Sequence, residues 1–123
     1  MTVGPSTAMR AVAPERSERI RAMLREHKVR ARIFGGSALS DPGWTMLLDL
    51  MLSHLEGRQT YLTSLCVASG LPTTNAKRRV TQLITDGLVQ RENDRSDRRR
   101  VLLTLTDRGL EGLSAYLDQI ERR

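Results

Sequence analysis

The chain has 123 residues, a formal charge of +6 at pH 7 and a sequence pI of ≈ 10.6, the profile of one modest domain with a preference for polyanionic partners. Only Phe34, Trp44, Tyr61 and Tyr116 are aromatic, too few to build the stacking surface on which single-stranded nucleic acid is held. One cysteine, Cys66, excludes an internal disulfide and fits a reducing cytoplasm; no apolar run reaches membrane-spanning length, and the N-terminal residues lack a signal-peptide core.

Residues 1–14 contain Gly4, Pro5, Ser6, Thr7 and Pro14 without periodicity and read as a flexible arm. A single domain is expected from 15 to 123. Its N-terminal helix, 15–35, carries Ile20, Leu24, His27, Ala31 and Phe34 at alternating steps of four and three, a narrow seam of the coiled-coil kind. Gly35-Gly36 stops it. Ser40-Asp41-Pro42 reads as a helix start, with a capping side chain before a first-turn proline. The second helix follows with an apolar stripe of Trp44, Leu47, Leu48, Met51 and Leu55, and Gly57 ends it. Gln59 to Tyr61 suits a very short strand. Thr63 or Ser64 is the expected cap of a third helix with Leu62, Leu65 and Cys66 inward. Gly70-Leu71-Pro72 makes the turn.

Thr73 or Thr74 starts a fourth helix whose buried face is Ala76, Val80, Leu83 and Ile84, closed by Asp86-Gly87. Strands are expected over Leu88–Glu92 and Val101–Thr106, with Val101, Leu103 and Leu105 on one face of the second. Asp107 reads as the cap of a last helix, 107–123, with Leu110, Leu113, Leu117 and Ile120 in another narrow seam.

Charge is concentrated in two blocks: residues 15–32 sum to +4, residues 72–100 also to +4, and 101–123 to −1. The second block covers the fourth helix and the loop between the strands. Off the buried face of that helix lie Thr73, Thr74, Asn75, Lys77, Arg78, Thr81 and Gln82. These residue types suit the major groove: Arg and Lys donate to guanine, Asn and Gln pair with adenine, and Thr offers a hydroxyl and a methyl. The first turns of a reading helix enter the groove, so Thr73, Thr74, Asn75, Lys77, Arg78 and Thr81 are the candidates there, and free amides at the helix start add affinity for phosphate. Between the strands, Asp94-Arg95-Ser96-Asp97-Arg98-Arg99-Arg100 forms a basic hairpin tip, or wing. Arg95, Arg98 and Arg99 are its candidates for the minor groove or the backbone, while Asp94 and Asp97 pair with some of the arginines and set the shape of the loop.

No metal set, glycine-rich phosphate loop or Ser-His-Asp arrangement stands out, so no enzyme activity, cofactor or metal is expected. Cys66, inward-facing and without a second cysteine, reads as a small core residue rather than a sensor. The expected fold is mainly α with a small β-hairpin (α+β): a winged helix-turn-helix core over 41–106, flanked by N- and C-terminal helices.

The wing resembles that of MarR-type transcriptional regulators. Their pattern Asp-x-x-Asp-x-Arg, then an apolar strand, then Leu-Thr-x-x-Gly corresponds to Asp94, Asp97, Arg99, Leu105, Thr106 and Gly109. The helix exit Leu83 … Asp86-Gly87-Leu88-Val89 also resembles theirs. The resemblance spans about 41–117 and implies a homodimer on double-stranded DNA. Helix 73–87 would lie in the major groove and wing 93–100 on the minor groove or backbone, with the terminal helices making the dimer and a small-molecule effector in many relatives. Lys77 stands where the family often has Thr, and a second C-terminal helix is absent from the pattern. Two other readings of the same residues are a winged-helix module for an acidic protein partner and a nonspecific architectural DNA binder; base preference separates the latter from a regulator.

Overall fold

In a computed structural model of the protein, residues 7–34 and 42–121 are described, with side chains over 14–28 and 42–121. Contacts divide the chain into two compact units, Met1–Ser40 and Asp41–Arg123.

The first unit holds α1, Thr7–Phe34. It starts well before the expected residue 15, so residues 7–14 of the expected arm are helical, and residues 1–6 lie outside the described residues. Pro14 reads in the sequence as a boundary, whereas it sits inside the helix. Proline removes one amide and crowds the preceding turn at a cost of ~3 kcal/mol, and the run of Ala8, Ala11 and Ala13, with its high helix propensity, offsets part of that. Of the expected seam, Ile20 is fully buried, Leu24 and His27 are half-buried, and the side chains of Ala31 and Phe34 lie outside the described residues. Glu18 pairs with Arg25 at 3.2 Å along its exposed side. The capping residues Ser40 and Asp41 also lie outside the described residues.

The second unit runs α2 (Pro42–Glu56), β1 (Thr60–Tyr61), α3 (Leu62–Ser69), α4 (Thr73–Thr85), β2 (Val89–Asn93), β3 (Val101–Leu105) and α5 (Asp107–Glu121). α2 is buried over more of its circumference than a single stripe: Met46, Leu50 and Leu52 are buried along with Leu48 and Met51. A helix apolar nearly all round belongs in the middle of a fold, and α2 packs against α3, α4, β3 and α5. Trp44 at its start meets Tyr116 of α5 edge to face, ring centroids 5.0 Å apart.

The sheet is antiparallel with order β1-β3-β2. Thr60 faces Leu103 and Tyr61 faces Leu102, while Val89 to Asn93 face Leu105 to Val101. Leu103 and Leu105 are buried as the alternation requires, and Val101, near the tip, is half-buried. Leu65 and Cys66 of α3 and Ala76, Val80 and Leu83 of α4 turn into the same core. On α5, Leu113 and Leu117 are buried within the chain, while Leu110 and Ile120 are half-buried.

Two caps differ from expectation. α3 starts at Leu62, so Thr63 and Ser64 lie exposed in its first turn, and Tyr61 at the N-cap makes no side-chain cap bond. The strand β1 runs straight into the helix and leaves no room for a separate capping residue. α5 starts at Asp107, and its cap is Thr106, whose Oγ1 accepts from the Gly109 amide at 3.1 Å.

Candidate nucleic-acid interface

α3, the turn at Gly70–Pro72 and α4 make a helix-turn-helix, and the β2–β3 hairpin follows it as the wing. α4 begins after Pro72, and only Ala76 returns an amide to the Pro72 carbonyl, at 2.9 Å. Neither a capping side chain nor an acidic residue occupies its first turn. The amides of Thr73, Thr74 and Asn75 therefore sit at the positive end of the helix dipole on exposed residues, an arrangement that favours an anion.

Thr73, Thr74, Asn75, Lys77, Arg78, Thr81 and Gln82 are all exposed. They do not form one patch. Asn75, Arg78 and Gln82 recur at steps of three and four and border a shallow hollow with Leu71 and Pro42. Lys77 and Thr81 lie on another stripe that borders the groove between α4 and the wing. The Thr81 hydroxyl donates to the Lys77 carbonyl at 3.0 Å, so its donor is engaged within the helix. Arg79, half-buried, bonds Gln82 at 3.4 Å. Arg78 and Lys77 have no ion-pair partner among the described residues.

The exit of α4 fixes the wing to the helix. Gly87 has φ +77°, its amide reaches the Ile84 carbonyl at 2.9 Å, and the Leu88 amide reaches Leu83 at 3.1 Å. This is a Schellman termination, which glycine adopts without strain. The start of α5 locks onto that exit. The Thr106 hydroxyl donates to the Gly87 carbonyl at 2.6 Å, the Thr106 amide to Leu88 at 3.0 Å, and Arg108 to the Asp86 carbonyl at 2.8 Å. A methyl group on Gly109 would run into the Leu88 carbonyl oxygen. The Leu-Thr-x-x-Gly signature thus has a physical content: one hydroxyl and one missing side chain bring two helix ends together.

In the wing, the expected pairing of aspartates with arginines is present. Asp94 Oδ1 accepts from the Ser96 amide at 2.9 Å and hydroxyl at 2.7 Å, and Arg100 approaches its Oδ2 at 3.5 Å. Asp97 Oδ1 accepts from the Arg99 amide at 3.0 Å and from Arg99 Nε at 3.3 Å. The Asp94 amide reaches the Arg100 carbonyl at 2.9 Å and closes the loop. The Ser96 hydroxyl and amide, with Arg100 adding, hold the Asp94 carboxyl below its ordinary range. Arg95 and Arg98 are exposed without an ion-pair partner among the described residues, and Arg99 is 92% exposed despite its pair.

Tyr61 and Arg91 carry no signal of a role in the sequence. The Tyr61 hydroxyl donates toward Asp94 Oδ2 at 3.5 Å, and the Arg100 guanidinium lies 5.1 Å from the centre of its ring, so β1 braces the wing. No local pattern announces a bond across 33 residues of chain. Arg91 on β2 reads like any exposed strand residue until the groove beside it is seen. Cys66 is buried, and desolvation pushes its thiol up against the weaker opposing pull of Lys77. Among the described residues there is no cluster of metal-ligating groups, and no helix is long and apolar enough to cross a membrane.

No family model and no curated protein matches the chain. Solved structures do. The chain is 27% identical to MarR, whose crystal structure it matches with a TM-score of 0.55 over 84% of this chain and 73% of that one. A probable transcriptional regulator from Pseudomonas aeruginosa is also 27% identical, with a TM-score of 0.55 over 80% of this chain and 75% of its own. Overoxidized AbfR bound to DNA shares the fold at 24% identity, with a TM-score of 0.54 over 83% and 70%. The resemblance to MarR-type winged helix-turn-helix proteins read from the wing signature is borne out, as is the α+β class with its small sheet.

Proposed function

We propose that this protein is a sequence-specific DNA-binding transcriptional regulator of the MarR type, acting as a homodimer on double-stranded DNA. Helix segment 73–87 of each protomer enters the major groove, and wing 93–100 lies on the minor groove or the backbone. The observation that carries this reading is the exposed stripe of Asn75, Arg78 and Gln82 on a helix whose uncapped first turn is bare of acids, next to a wing with Arg95 and Arg98 exposed. Donors fixed on a helix read base edges, and arginines on a hairpin tip read groove width and phosphate. The likeness to MarR and to the Pseudomonas aeruginosa regulator supports the same conclusion. A two-fold dimer doubles these contacts and matches a pseudo-palindromic site.

The test is fluorescence anisotropy on a duplex from the region upstream of the protein's own coding sequence and on a scrambled duplex, over a salt series. Binding to the upstream duplex that persists at salt where the scrambled duplex is released supports the reading. Equal affinities with one steep salt slope mean phosphate-only, architectural binding. Failure to bind either duplex sinks the DNA reading in favour of a protein partner.

A further inference from the structure

The groove between α4 and the wing sheet encloses about 450 Å³ and carries four cations, Lys77, Arg91, Arg99 and Arg100, with Thr63 and Thr81 on its walls. Among the described residues no carboxylate lines it. Arg99 and Arg100 are each held by an aspartate of the wing loop. Lys77 and Arg91 are exposed and have no ion-pair partner among the described residues. Lys77 approaches from the helix and Arg91 from the middle of β2, opposite Leu103. Two uncompensated cations on facing walls of one groove are a place for a chain of negative charge.

We infer that this groove takes the sugar-phosphate backbone of the bound duplex between the segment read by α4 and the segment met by the wing, with Arg91 and Lys77 holding phosphate. This rests on the DNA-binding reading above. Charge complementarity selects the occupant: the groove opens between the two elements proposed to touch DNA, and a strand passing from one to the other crosses it. Arg91 is then a positioning residue that fixes register and carries no sequence information. Its role differs in kind from that of Arg78, which lies on the other stripe of the helix.

The experiment compares R91A, R91K and R78A with the wild type in the anisotropy titration, on upstream and scrambled duplexes, after circular dichroism has shown unchanged melting. For R91A the expected result is a loss of about 3- to 10-fold on both duplexes alike. Its log–log salt slope should be shallower by roughly 0.9 for each phosphate it no longer neutralises, with R91K restoring most of the slope. If R91A leaves the slope unchanged while R78A lowers the preference for the upstream duplex, the groove inference is overturned and the regulator reading stands. If neither variant changes anything, both fall.

Discussion

Arg78 on α4 stands exposed without an ion-pair partner among the described residues, whereas Arg99 and Arg100 of the wing are tied to Asp97 and Asp94. The helix needs no such wiring. Its backbone already fixes where each side chain starts, so its cations stay available to a ligand. The wing tip has no repeating backbone bonds past Asn93 and takes its shape from two carboxylates, one serine and one tyrosine. Charge at Lys77 and Arg78 on the helix is open surface; much of the charge on the wing is scaffold, and of its four arginines only Arg95 and Arg98 stand outside an ion pair among the described residues. Substitutions on the stripe of Asn75, Arg78 and Gln82 should therefore alter which DNA is bound, and substitutions in the wing how firmly any DNA is bound.

The largest effect is expected where both elements depend on one joint. Gly109→Ala places a methyl against the Leu88 carbonyl oxygen, which belongs to the backbone and has nowhere to go. A loss of about 1–3 kcal/mol is expected for such overpacking, together with weakened binding to all DNA; an unchanged denaturant midpoint would show that the joint is loose. Next comes Arg78→Ala, which should cost about 1–3 kcal/mol on the preferred duplex and relax base preference at one position. Arg95→Ala should instead weaken upstream and scrambled duplexes by the same factor. If those two variants exchange phenotypes in a binding-site selection, the contrast between helix and wing is drawn the wrong way round.

A smaller and pH-dependent effect belongs to Asp94. Its carboxyl is depressed in the folded protein, so its contribution is present above the unfolded carboxylate value of about 3.9 and is lost as pH falls through the lower folded value. Asp94→Asn should leave the fold intact and weaken DNA binding at neutral pH. It should also remove that part of the acid destabilisation, as followed by thermal melts between about pH 3 and 7. The smallest effect concerns Cys66. Burial raises its thiol, so alkylation by iodoacetamide at mildly alkaline pH should run well below the rate for a free thiol. A rate equal to that of free cysteine would contradict the inward face assigned to α3.

The winged helix is legible in the sequence because its signals are local. The charged loop between Asp94 and Arg100, the closing pair Asp86-Gly87 and the alternation of Leu103 with Leu105 each lie within a few residues. The aspartate–arginine pairing is legible for the same reason, its partners being two to six positions apart. Non-local features are not. Tyr61 reaches Asp94 only because β1 pairs with β3, and Arg91 faces Lys77 only because the hairpin folds back beside α4. The division of the polar face of α4 into two stripes depends on the neighbours of each stripe, not on the helix alone. Pro14 misleads because a proline commonly marks a helix start, a preference that says nothing once strong helix formers continue on its N-terminal side. Thr106 and Asp107 are both residue types that cap well, so sequence alone does not choose between them; the hydroxyl's second bond, to Gly87, decides for Thr106.

The strand order β1-β3-β2 gives the wing one stiff leg and one soft leg. β3 is hydrogen-bonded on both sides, while among the described residues β2 has a partner on one side only. The hairpin is thus a flap hinged along β3, with β2 as its yielding margin. Deuterium should enter the outer margin of β2 first and β3 last, and a duplex seated in the neighbouring groove would press on the leg that is able to give.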